Sequence, residues 1–188
     1  MASTSDIRNG LCIRYNNDIY KIIEFLHVKP GKGPAFVRTK MKSVTNGKVL
    51  DNTFSAGHKL EDVRVETHKF QFLYNDGEFY HFMNTEDYTQ IQLRESALDN
   101  PGLMKEGEVV TVIINTEDNM PLSVEMPASV ILKVTATEPG IKGNTATNAT
   151  KPATVETGAT VHVPLFINEG DVIKVETEKG TYKERVKE

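Results

Sequence analysis

The chain has 188 residues, 38% of them hydrophobic and 26% charged, which allows one large or several small apolar cores and leaves too much charge for a membrane span. Its longest strongly apolar stretch, Val109 to Ile114, falls far short of the ~20 residues a spanning helix needs. The start, Met1-Ala2-Ser3-Thr4-Ser5-Asp6, lacks the basic and apolar regions of a secretory signal, so a cytoplasmic protein is expected, and its single cysteine, Cys12, can form no internal disulfide.

The formal net charge of −4 is unevenly spread. Residues 1–64 carry 11 Lys+Arg against 6 Asp+Glu, residues 65–128 carry 3 against 12, and residues 129–188 carry 8 against 8. A basic module joined to a strongly acidic one suggests one end that meets nucleic acid and a middle that avoids it, although drift in surface charge would give the same counts.

In chain order, short runs rich in β-branched and aromatic residues predict strands at Leu11–Tyr15, Ile19–Phe25, Ala35–Met41, Val63–Tyr74, Glu78–Phe82 and Thr89–Leu93. Further strands are predicted at Val109–Asn115, Leu122–Met126, Val130–Thr137, Thr160–Phe166, Asp171–Thr177 and Thr181–Val186. Asn46-Gly47, Asn75-Asp76-Gly77 and Lys179-Gly180 read as hairpin punctuation. Helical periodicity is confined to single turns near Glu86–Tyr88, Arg94–Leu98 and Pro101–Met104, and Pro139 to Gly158 reads as one long exposed loop. The run Glu106-Gly107-Glu108-Val109-Val110-Thr111-Val112 is echoed 63 residues later by Glu169-Gly170-Asp171-Val172-Ile173-Lys174-Val175. Such a spacing equals about one small barrel. Charge blocks, strands and echo together predict an all-β chain of three modules, 1–64, 65–128 and 129–188.

No catalytic constellation is visible. The five histidines lack the short spacing that places two ligands on one metal, and Gly31-Lys32-Gly33 has neither the third glycine nor the helix of a nucleotide-binding loop. The segment that stands out is Lys29-Pro30-Gly31-Lys32-Gly33-Pro34, between two apolar strands. Pro30 and Pro34 fix φ on either side, while Gly31 and Gly33 allow positive φ and remove bulk, which makes a narrow projecting tip with one long cation at its apex. Such a tip can carry an ammonium into a crevice among phosphates or carbonyls; a plain hairpin turn made soluble by a lysine is the competing reading.

At this loop the sequence resembles the elongation factor P family, the bacterial relatives of eukaryotic initiation factor five A. The likeness extends over essentially the whole chain. It is carried by Asp6-Ile7-Arg8-Asn9-Gly10, Lys29-Pro30-Gly31-Lys32-Gly33, Phe36-Val37-Arg38, Thr137-Glu138-Pro139-Gly140-Ile141-Lys142-Gly143 and Lys151-Pro152-Ala153, in family order. The resemblance implies an SH3-like (KOW-like) N-terminal barrel followed by two OB-folds, and a non-enzymatic, monomeric factor that needs no metal or cofactor. Its implied partners are the 70S ribosome, ribosomal RNA and the peptidyl transfer RNA, beside which the family binds between the peptidyl and exit sites to relieve stalling at consecutive prolines.

By the same resemblance Lys32 points at the peptidyl transferase centre and is the residue that a lysine-modifying enzyme extends. Lys29, Arg38, Lys40 and Lys42 are candidates for phosphate contacts, each equally readable as surface solubility. Tyr182 and Arg185 match family positions near the small subunit, where one would stack on a base or sugar and the other would meet phosphate; for Tyr182 a half-buried strand residue is the competing reading. Asn144 and Thr145 lie where many relatives carry a Gly-Asp-x-x-Gly-Thr loop that meets the exit-site codon. Here the run is Gly143-Asn144-Thr145-Ala146-Thr147-Asn148, which loses the acidic charge and the second glycine, so the codon contact does not carry over directly. Pro34 also departs from the residue many relatives have after the tip glycine. Two rival readings remain on sequence grounds: an RNA-binding barrel protein that does not rescue proline stalls, and an enzyme with an unrecognised site.

Overall fold

The computed structural model describes residues 1–140 and 149–186. Asn16 and Asn17 adopt positive φ (49° and 61°), the geometry of a two-residue primed turn, and so join β2 (Cys12–Tyr15) to β3 (Asp18–Val28) as a tight hairpin. With β1 (Ala2–Ser3), β4 (Phe36–Ser43), β5 (Val49–Ser55) and β6 (Lys59–Asp62) they form a six-stranded sheet in the order β1-β6-β2-β3-β4-β5. Alternation turns Val37, Thr39, Met41 and Ser43 of β4 inward, and Ile7, Ile13, Ile22, Val37, Met41, Phe54 and Leu60 close a core. A register shift between Ile22 and Glu24 bends β3, which continues past the predicted end at Phe25 to Val28.

A second sheet has the order β11-β10-β7-β8-β9, from β7 (Val65–Asn75), β8 (Phe79–Asn84), β9 (Gln90–Arg94), β10 (Val109–Asn115) and β11 (Pro121–Glu125). A third has the order β14-β13-β12-β15-β16, from β12 (Ser129–Thr137), β13 (Thr150–Val155), β14 (Thr160–Pro164), β15 (Val172–Glu176) and β16 (Thr181–Val186). Helical structure among the described residues is limited to 3-10 turns at Thr4–Asp6, Glu95–Ala97 and Pro101–Leu103, and no helix there is long and apolar enough to cross a membrane. The chain is nearly all-β, in curled sheets.

By contact the chain gathers into two compact units, Met1–His68 with Val112–Ser123 and Lys69–Thr111 with Val124–Glu188. Within the first, Cys12 is buried with Val63 and Leu122, and Arg14 pairs with Glu61 (3.4 Å) and Glu117. Within the second, Leu103 of the last 3-10 turn enters the core of Val130, Leu132, Val134, Val161, Val163 and Ile173. Asn100, in a left-handed conformation, donates its amide to the carbonyls of Thr177 (2.6 Å) and Glu178 (2.9 Å), and Lys105 pairs with Glu156 (3.1 Å). Glu156 also accepts the Lys133 N–H; these partners outweigh burial and hold its carboxyl below the usual range.

The internal echo is geometric. The Gly107 N–H donates to Phe72 O (2.8 Å) while the Phe72 N–H donates to Glu108 O (2.8 Å); likewise the Gly170 N–H donates to Val134 O (2.9 Å) while the Val134 N–H donates to Asp171 O (2.8 Å). Both glycines need positive φ, 85° and 90°, which leads each corner into a strand at the same place in its sheet.

One expectation is corrected. Part of the run Pro139 to Gly158, read as a single exposed loop, is the strand β13, with Lys151, Ala153 and Val155 buried. A lysine and an alanine on the inward face, and a proline on the other, hide the alternation that marks a strand. The Lys151 ammonium donates to Glu138 O at 2.6 Å, which allows it to lie inside. At the near end of the run, Gly140 passes so close to Leu165 that a Cβ there would stand 2.6 Å from the Leu165 carbonyl oxygen.

Candidate functional site

The hairpin of β3 and β4 is the longest in the first sheet, and its last pair is Val28↔Phe36, so residues 29–35 span its end. Lys29, Gly31, Lys32, Gly33 and Pro34 are exposed. Gly33 has φ 115°, a conformation that L side chains rarely adopt, and a Cβ there would lie 3.8 Å from the Pro30 ring. Gly31 does not use positive φ and has open space around it, so of the two tip glycines only Gly33 is demanded by the backbone. Among the described residues Lys32 has no hydrogen bond or ion pair, and its side chain is exposed.

The structure brings Arg38, Lys40 and Lys42 onto one face of β4, opposite the buried residues. It also distinguishes them. Lys40 lies between Glu24 of β3 and Asp51 of β5 and pairs with Glu24 at 3.2 Å, so much of its field is cancelled locally. Arg38 lies between Leu26 and Thr53, and its guanidinium stands 5.6 Å from the centre of the Phe36 ring, which steadies it without neutralising it. Lys42 sits opposite Lys21 on β3. Glu24, Leu26, Arg38, Lys40 and Asp51 edge a shallow groove of about 370 Å³ beneath the tip. Phe36 is a residue that sequence reasoning missed as a support; an aromatic two positions before an arginine on one strand face was the available signal.

At the far end of the chain Tyr182 and Arg185 are three residues apart, a spacing that would put them on opposite faces of a regular strand. A bulge prevents this. Tyr182 pairs with Val175 and Arg185 with Ile173, the register slipping by one residue at Lys183, and both partners are core residues on one face. Tyr182 is half-buried and packs against the third core, while Arg185 is exposed, 3.8 Å from Asp171 and 5.9 Å from the centre of the Phe166 ring. Phe166 was read only as the end of a strand; it lies beyond β14 with 59% of its surface exposed. Asn144 and Thr145 lie outside the described residues. Among those described, no group of three or more His, Cys, Asp or Glu could hold a metal ion.

Fold and surface define a multi-module β protein that, among the described residues, presents two exposed lysines without partners, Lys29 and Lys32, in the turn that closes its β3–β4 hairpin. Three family profiles match in succession: the elongation factor P KOW-like domain over residues 3–60, the elongation factor P OB domain over 65–124, and the elongation factor P C-terminal domain over 130–185. The chain is 84% identical over 188 residues to elongation factor P of Christiangramia forsetii, each chain being covered completely. It is 72% identical to that of Flavobacterium psychrophilum, again over both whole chains, and 56% identical to that of Amoebophilus asiaticus, of which 98% is covered. Among solved structures, the eukaryotic translation initiation factor 5A of Methanococcus jannaschii aligns with TM-score 0.49 and 18% identity, over 65% of this chain and 92% of that one. The chain belongs to the elongation factor P family and is a translation elongation factor.

Proposed function

We propose that this factor binds the ribosome between the peptidyl and exit sites, beside the peptidyl transfer RNA, and speeds peptide bonds that form slowly at consecutive prolines. The observation that carries the reading is the exposed Lys32 at the end of the β3–β4 hairpin, without a hydrogen bond or ion pair among the described residues, in a chain whose family is shown. Proline is a slow substrate because its secondary amine and rigid ring resist the reacting geometry. A cation fixed near the acceptor end helps by orienting the peptidyl transfer RNA and by electrostatics, while the ribosome remains the catalyst.

Arg38 is the strongest candidate for a phosphate contact near the tip, since Lys40 is already paired with Glu24. Lys29 and Lys42 add charge on the same module. On this reading the protein works as a monomer in the cytoplasm, and Lys32 carries a covalent extension added by a lysine-modifying enzyme. An intact mass of protein from its native host above that of the bare sequence is expected; a mass equal to it contradicts the extension. The function itself is tested by translating a reporter with three consecutive prolines in a reconstituted system lacking the factor. Added native-host protein restores full-length product; no restoration would move the reading to a barrel protein that contacts RNA without relieving stalls.

A further inference from the structure

We propose that Asn100 is a positioning residue: its side chain clamps together the two stretches of the second compact unit, Lys69–Thr111 and Val124–Glu188, so that they meet the ribosome as one body. The inference rests on the ribosome-binding reading above. Asn100 stands at the start of the 3-10 turn Pro101–Leu103, where an asparagine side chain ordinarily accepts an N–H of its own turn. Here it makes no such bond. Its amide instead donates to Thr177 O (2.6 Å) and Glu178 O (2.9 Å), 77 and 78 residues further on and just beyond β15.

Position 100 makes two demands that few residues meet together. Its backbone is left-handed (φ 50°, ψ 52°), which asparagine tolerates, and its side chain must offer two N–H donors. Thr177 shows what the second demand achieves. Its N–H donates to Ala128 O and its hydroxyl to Pro127 O, in the short link that leads into β12, while its carbonyl accepts from Asn100. The covalent lead into β12 and the side-chain clamp therefore end on one residue. A second hold lies along the same connector: Leu103 enters the third core, Gly102 passes Ala159, and Lys105 pairs with Glu156 (3.1 Å).

Two bodies on a free hinge lose that freedom when both are seated on a partner, and the loss is subtracted from affinity. A clamp already made in the free protein removes that loss in advance. Cutting it therefore weakens binding and leaves the maximal effect alone, since the Lys32 tip is untouched.

Asn100→Asp keeps the shape but has no side-chain N–H to donate at neutral pH, and Asn100→Gly keeps the left-handed backbone and has no side chain. Each is titrated onto purified ribosomes carrying a peptidyl transfer RNA stalled at proline, and the rate of the next bond is followed. Melting curves are recorded in parallel, with Asp76→Asn, which breaks none of these bonds, as the control for lost stability. The expected result is about a five-fold rise in half-saturating concentration for both Asn100 variants at unchanged maximal rate, and none for Asp76→Asn. A Cβ on Gly102 would lie 3.7 Å from that of Ala159, a separation that a disulfide spans, so Gly102→Cys with Ala159→Cys restores the joint by another bond. Added to Asn100→Asp, the oxidised pair should recover most of the lost affinity, and reductant should abolish the recovery. Wild-type-like binding by Asn100→Asp, or an oxidised pair that recovers nothing, overturns the clamp and leaves the functional reading standing. A pair that fails to oxidise overturns it too, since the clamped arrangement brings those two positions together. Failure of the wild-type factor to bind such ribosomes overturns the functional reading and this inference with it.

Discussion

Two hairpin ends in this chain have similar turn chemistry and opposite designs. At the β7–β8 end, Asn75 accepts the Gly77 N–H (2.7 Å), and Asp76 accepts the N–H groups of Phe79 (2.8 Å) and Glu78 (2.9 Å) and pairs with His81 (2.8 Å), which itself stacks on Tyr74 with ring centres 4.4 Å apart. The Asn75 and Asp76 side chains are thus spent on the turn itself. At the β3–β4 end, two prolines and one positive-φ glycine set the backbone without using a side-chain polar group, and the lysine is left over. Among the described residues, the second end leaves the charge of Lys32 without a partner.

The largest effect should follow from Gly33. Placing Val at φ 115° costs about 1–2 kcal/mol in the loop, so stimulation of proline-stalled ribosomes falls roughly 5- to 30-fold, with a drop in melting temperature of at most about 2–8 °C. Gly31→Ala, at ordinary φ with open space, should behave as wild type. Equal losses from both would mean that the tip is sensitive to any bulk and that the backbone argument is wrong.

Asp76 should affect folding and leave translation alone. The backbone N–H of Phe79, then His81 and the N–H of Glu78, lower its pKa from 3.8 to about 2. A depressed carboxylate stabilises the fold above its unfolded pKa, and that contribution disappears as pH falls from about 4 towards 2. Asp76→Asn should therefore melt below wild type at pH 7, with the gap closing through that window, and still rescue the triproline reporter. A gap independent of pH would contradict the assignment. The smallest effect belongs to Glu24→Gln: an exposed pair such as Glu24–Lys40 is worth ~0.2–1 kcal/mol, so melting should shift slightly, while ribosome affinity should rise because Lys40 is released.

The sequence carried the hairpins that glycine announces, Asn46-Gly47, Asn75-Asp76-Gly77 and Lys179-Gly180, and the Gly107 and Gly170 corners whose echo proved to be a shared hydrogen-bond pattern. It hid elements whose inward residues are not plainly apolar. β5 buries Phe54 among Asp51, Asn52 and Thr53, and β13 buries Lys151 and Ala153. The Asn16-Asn17 turn escaped because neither position is glycine, although asparagine tolerates left-handed φ. At the candidate site, Lys32 was legible because prolines and glycines isolate it in the sequence. The distinction between Arg38 and Lys40 was not, since it depends on which carboxylates the register places beside each, and the common face of Tyr182 and Arg185 depends on a bulge that no local motif announces.

The central claim is that the leftover charge at the hairpin end, rather than the basic module as a whole, accelerates the reaction. The most direct measurement is the rate of a single peptide bond to a proline acceptor on purified stalled ribosomes at saturating factor, comparing wild-type protein with Lys32→Ala and Lys29→Ala. Loss of most of the stimulation with Lys32→Ala, at a half-saturating concentration close to wild type, and near-full stimulation with Lys29→Ala is the predicted result. Full stimulation by Lys32→Ala, or equal losses from both variants, would contradict it.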